Sequence, residues 1–178
     1  GTLSQRALDE EHRAQLGAHY TSPEDIRALL EPVLMAPLRA EWQGIKRGLL
    51  ADYRTGKASP KARKALEAFL KRLQSLVVLD PACGSGNFLY LSLQLLLDLE
   101  KQVVAFAATL GLELAPGVDV RQLRAIEINP YAYELAQVSV QIGYLQWMRA
   151  NGFKLDRSPV LQKLAGFECA DALMREAF

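Results

Sequence analysis

Apolar runs of two kinds alternate along this chain. Short β-branched runs read as strands, and longer apolar-rich segments read as helices. Leu76-Val77-Val78-Leu79 is the first short run, and it predicts a buried parallel strand. Leu123 to Ile128 predicts a second strand, and Gly166 to Ala170 a third. Between the first two, Asn87 to about Ala108 is apolar on more than one side, as in a helix buried against a sheet. Between the last two, Tyr131 to Trp147 predicts a helix with Leu135, Val138, Ile142 and Leu145 on its apolar face, closed by Asn151-Gly152. Strand, helix, strand, helix, strand predicts an α/β fold with a parallel sheet in the order third, second, first.

The segment before the first strand is helical. Ser4 to Leu16 is helix-permissive and ends at Gly17. Ser22 and Pro23 suit an N-cap and first helical position, with Asp25 completing a box-like cap. Pro32 and Pro37 should kink or divide the helix that follows. A further helix is expected over Trp42 to Leu50, and another from Ser59-Pro60 to near Leu73. Residues 1–74 thus form a helical region and 75–178 the α/β part. The first strand has an open edge, for which we expect either a dimer or cover by the N-terminal helices.

Composition changes this picture little. The chain has 178 residues, 50% hydrophobic and 23% charged, with formal net charge +1, so charge argues for no particular polyanionic partner. Lys57, Lys61, Arg63, Lys64, Lys71 and Arg72 make one region locally basic, which reads first as a solvated helix face. Two cysteines, Cys83 and Cys169, read as thiols of a reducing cytoplasm rather than a disulfide. No leader is seen, the leucine-rich segment from Phe88 is too short for a bilayer, and no metal site is expected.

The chemistry concentrates at Asp80-Pro81-Ala82-Cys83-Gly84-Ser85-Gly86-Asn87-Phe88, between the first strand and the helix. Glycines let a ligand approach the backbone, and the following helix offers its free amides to an anionic group. The dinucleotide pattern G-x-G-x-x-G fails, because its third glycine falls on Leu89. The phosphate loop G-x-x-x-x-G-K-[ST] fails for want of a lysine. Glu127, at the end of the second strand, is the second signal, since an acid there accepts from both ribose hydroxyls in nucleotide-binding doubly wound folds. The usual spacing is about 20 residues. It is longer in this chain, which we assign to the long helix and the loop from Gly111 to Asp119.

DPACGSGNF resembles the S-adenosylmethionine (SAM) loop of amino-methylating DNA methyltransferases, D-P-A-C-G-S-G-x-F. Gly17 to Ile26, GAHYTSPEDI, resembles their upstream segment G-x-[HFY]-Y-T-[PS]-x-x-[IV]. The run LSLQLLLDLEKQVVAFAATLGL and the later AIEINPYAYELAQVSVQIGYLQW are similar to the MmeI-like family of type II restriction–modification methyltransferases. The resemblance implies part of a class I SAM-dependent methyltransferase fold and methyl transfer from SAM to adenine N6 in DNA. It implies that Tyr20 and Thr21 fold over the methionine end of SAM. Asp80, Ala82, Cys83, Gly84, Gly86, Asn87 and Phe88 would form the cofactor loop, and Glu127 and Ile128 would hold the adenosine. Asp171 would bond the adenine amino group, with the Ala172 amide at the ring edge.

The family's catalytic motif, [ND]-P-P-[YFW], does not occur in these 178 residues. Asn129-Pro130-Tyr131 lacks the second proline and reads as a helix cap. No catalytic residue is therefore assigned, and the chain alone is expected to bind SAM without transferring methyl. Cys83 lies inside the cofactor loop, not in the Pro-Cys motif of cytosine-C5 enzymes. DNA is the expected partner, reached through other parts of a parent protein. Cytosine-N4 methylation, a structural module with a vestigial loop and a nicotinamide-dependent oxidoreductase are the competing readings.

Overall fold

The computed structural model describes residues 21–52, 59–153 and 161–174. Helix α1 (Pro23–Leu30) starts as expected: Ser22 Oγ accepts from the Asp25 amide at 3.1 Å. The prolines divide the helical stretch without breaking it. Pro32 offers no N–H, and residues Glu31–Met35 widen into a π turn in which the Ala36 amide reaches the Glu31 carbonyl. Helix α2 (Ala36–Asp52) follows directly and is longer than the pattern predicts. Helix α3 (Pro60–Ser75) is capped by Ser59, whose Oγ accepts from the Ala62 amide at 3.1 Å. Lys61, Arg63, Lys64, Lys71 and Arg72 lie on its outer face, where Arg63 pairs with Glu67 and Arg72 with Glu41 of α2, while Lys57 lies outside the described residues. The expected helix over Ser4 to Leu16 lies outside the described residues.

Strands β1 (Val78–Asp80), β2 (Leu123–Glu127) and β3 (Phe167–Cys169) form one parallel sheet with β2 in the middle. The α/β class, the three parallel strands and their order are as the sequence predicts. The burial of the first strand is not. Val77 is 60% and Leu79 49% exposed, because nothing among the described residues covers that side of β1. Among the described residues, α1 and α3 pack chiefly on the following helix.

That helix, α4 (Asn87–Thr109), is the centre of the fold. Leu89, Leu93, Leu96, Leu97, Val103 and Ala107 join the core shared with the sheet, α2, α3 and the next helix. On its other side, Leu91 packs with Ile26 and Leu30 of α1. Trp42 of α2 stacks on Phe69 of α3 and meets the Phe106 ring of α4 edge-on.

Within this apolar helix sits Glu100, 1% exposed. Its carboxylate accepts from the Gly117 amide at 2.8 Å, the Val118 amide at 3.0 Å and Gln74 Nε2 at 3.1 Å. A buried carboxylate is tolerable only when so partnered. Gln122 continues the network. Its Nε2 donates to the Leu73 and Leu76 carbonyls at 2.8 and 2.9 Å, and its Oε1 accepts from the Asp119 amide at 3.2 Å. Together they fasten the long loop before β2 to the joint between α3 and β1.

Helix α5 (Pro130–Ala150) faces differently from the expectation. Val138 and Ile142 are 37% and 42% exposed, while Tyr133, Ala136, Gln137, Val140, Gln141 and Trp147 are buried. The two glutamines enter the interior because each finds a backbone partner. Gln137 Oε1 accepts from the Leu164 amide at 3.1 Å and Gln141 Oε1 from the Gln162 amide at 2.9 Å. They hold the extended segment that leads into β3.

Removing the Glu100 carboxylate would strand two backbone amides in the interior. Glu100→Ala is expected to destabilise the chain by about 3 kcal/mol. Chemical denaturation should show a lower midpoint, whereas an unchanged midpoint would disprove the structural role of Glu100.

Candidate functional site

The three strands end side by side, and the chemistry-bearing residues gather there. Asp80 closes β1 and Glu127 closes β2, while Asp171 lies just past β3. The loop leaving β1 bends over the end of β2. The Cys83 amide donates to the Ile126 carbonyl at 3.1 Å, and the Gly84 amide donates to Glu127 Oε2 at 2.8 Å. Glu127 Oε1 accepts from the Asn129 amide at 2.9 Å, and the Glu127 carbonyl accepts from the Ala170 amide at 3.0 Å. One residue thus links the glycine loop, the start of α5 and the end of β3.

The two glycines are needed for different reasons. Gly84 has φ +52° and Gly86 φ +82°, both in the left-handed region. A Cβ on Gly84 would meet none of the described residues within 4 Å, so among them that side of the loop is open to a ligand. A Cβ on Gly86 would lie 3.2 Å from the Ala136 backbone and side chain, so Gly86 also allows α4 to approach α5. Gly86 serves as the N-cap of α4 with no side-chain cap. The first amides of α4, including those of Asn87 and Phe88, therefore face the loop without a capping acceptor.

The electrostatics are acidic. Burial first, and the neighbouring Glu127 charge after it, raise the Asp80 carboxyl above its ordinary value, while the hydrogen bond from the Ala82 amide at 3.2 Å pulls the other way. Burial, with Asp80 and Glu127 adding to it, pushes the Cys83 thiol up to about 12. A thiol so placed is a packing group, not a nucleophile.

The remaining predicted residues are distributed as follows. Phe88 is half-buried and packs toward α1, so the chain just after the exposed Thr21 runs beside the start of α4. Tyr20 lies outside the described residues. Ala82 and Ile128 are exposed at the strand ends. Asp171 and Ala172 are half-buried, and Asp171 Oδ1 accepts from the Leu173 amide at 2.9 Å. Asn129 acts as the N-cap of α5, with Oδ1 accepting from the Tyr131 and Ala132 amides at 3.0 and 3.2 Å. Sequence reasoning misses that Glu127 binds the glycine loop, and that Gln137 and Gln141 set the approach to β3. Two glutamines four apart in an apolar helix are the signal that could have revealed the latter.

Residues 56–174 match the family described as MmeI, DNA-methyltransferase domain. The chain is 31% identical over 144 residues to DNA methyltransferase A of Bacillus subtilis, which covers 80% of this chain and 15% of that protein. It is 24% identical over 161 residues to a putative type II restriction enzyme and methyltransferase of Methanocaldococcus jannaschii, covering 83% of this chain and 14% of that one. Among solved structures it is similar to the type IIL restriction-modification enzyme MmeI in complex with DNA. The TM-score is 0.75 and the identity 29%, over 97% of this chain and 22% of that one. The chain thus spans about one-seventh of the length of the curated relatives it matches.

Two outcomes test this electrostatic picture. At pH 8, iodoacetamide should modify exposed Cys169 at least about a hundredfold faster than Cys83, as peptide mapping would show. Asp80→Asn should raise Tm at pH 7. Because the folded chain holds the Asp80 proton more tightly than the unfolded chain, wild-type stability falls as pH rises through the carboxyl range. The gap to the variant should therefore open with rising pH and close below about 3.9, the unfolded value. A gap that widens toward acid would contradict a raised Asp80 carboxyl.

Proposed function

The chain belongs to the MmeI DNA-methyltransferase domain family, and on that footing we propose that it holds SAM for methyl transfer to adenine N6 of DNA within a restriction–modification protein. The observation that carries the reading is the junction of the glycine loop with Glu127 at the strand ends. The residues present fit such a cofactor: an open Gly84, uncapped amides at the start of α4, and a buried carboxylate between β2 and the loop.

The roles follow from the chemistry of each group. The loop from Asp80 to Phe88 receives the methionine part. Thr21, with Tyr20 before it, closes over that end. Glu127 accepts hydrogen bonds from the ribose hydroxyls, and Ile128 supplies an exposed apolar surface for the adenine ring. Asp171 and the Ala172 amide recognise the ring edge. SAM supplies an electrophilic methyl group when bound. These residues contribute orientation, not proton transfer. The target base would be flipped from the duplex and held by an [ND]-P-P-[YFW] motif, which these 178 residues do not contain. DNA is the partner of the larger protein, and the chain by itself binds SAM without methylating DNA.

A thermal-shift titration tests this reading. SAM should raise Tm with increasing concentration and NAD should not, because only a ligand selective for the folded state stabilises it. Gly84→Arg should remove the SAM response by filling the open side of the loop. Equal responses to SAM and NAD, or an undiminished response in the variant, would overturn the cofactor assignment.

A further inference from the structure

The Glu127 carboxylate is engaged by the chain's own backbone. One oxygen accepts from Gly84, 43 positions earlier in the chain, and the other from Asn129. Gly84 sits at the tip of a loop in a left-handed conformation, where its amide has no place in a strand ladder or helix. The preceding amide, that of Cys83, is held by the Ile126 carbonyl at 3.1 Å. Together these two bonds extend the attachment of β1 to β2 past the end of the strand and into the glycine loop.

We propose that Glu127 is the positioning residue of the glycine loop. Its carboxylate sets the Gly84 backbone, and so couples the ribose end of the cofactor site to the methionine end. This rests on the SAM reading for its functional consequence, but the anchoring itself consists of bonds within the chain. The charge matters because an ionised carboxylate accepts from two amides at once, and such bonds are about twice as strong as neutral ones. Each oxygen keeps a further lone pair, so a ribose hydroxyl can be accepted without releasing the loop. A residue acting only on ribose would leave the rest of the site unchanged when removed. A residue that positions the loop would not.

The experiment has a ligand-free arm and a ligand arm. Amide hydrogen exchange by NMR on the 178-residue chain should show Gly84 exchanging about tenfold more slowly than Ser85, and about tenfold faster in Glu127→Met than in wild type. Far-UV circular dichroism checks that the variant is folded. The wild-type comparison stands even if it is not. The ligand arm uses S-methyl-L-methionine, a sulfonium amino acid without ribose or base, followed by ligand-observed NMR. Glu127→Met should weaken its binding about threefold or more, as well as that of SAM. Rapid Gly84 exchange in wild type, or equal affinity of wild type and variant for the ribose-free probe, would overturn the proposal. If neither SAM nor the probe binds wild type, the cofactor reading fails, and the exchange data still decide whether Glu127 anchors the loop.

Discussion

The fold is governed by the need to bury α4. A 23-residue helix with leucines on opposite sides cannot lie on the surface of a sheet with one face to water. It must be wrapped. The sheet, α2, α3 and α5 share one core with it, and α1 covers its other side. This explains why, among the described residues, three helices stand ahead of β1. It also explains the placement of Glu100. This carboxylate on the inner face of α4 has three donors, and the loop that supplies two of them is held in place by the same bonds.

A second constraint operates at the strand ends. Three acids, Asp80, Glu127 and Asp171, stand at or just past neighbouring strand ends, and all three are partly or wholly withdrawn from water. Such an arrangement costs stability, as the raised Asp80 carboxyl indicates. Backbone amides offset part of that cost. The loop, the start of α5 and the end of β3 each present N–H groups to these carboxylates or to the neighbouring carbonyls. The site is therefore acidic in its side chains and donor-rich in its backbone, a combination suited to a ligand with hydroxyls, an ammonium group and a carboxylate.

Much of this is legible in the sequence, where local chemistry decides the outcome. The caps at Ser22, Ser59 and Asn129 follow from side chains that bond amides two or three residues away, and they are readable for that reason. The glycine loop is readable because positive φ leaves few alternatives. The failures are long-range. The apolar stripe expected on α5 assumes that glutamines face water, but Gln137 and Gln141 are satisfied by a segment more than twenty residues later. The run at β1 reads as buried because β-branched residues suit an interior. Whether both faces are covered depends on neighbours that the run itself does not specify. The bond from Gly84 to Glu127 likewise joins two motifs whose residues give no local sign of meeting.

The two cysteines have a practical consequence. Cys83 is sealed in the loop, with its thiol held protonated by burial and adjacent acids. Cys169 is exposed at the end of β3, two residues before Asp171. The unmodified chain therefore carries its own handle for attaching a single fluorophore beside the strand ends. Ligand entry at that edge could be followed optically without altering any residue of the loop.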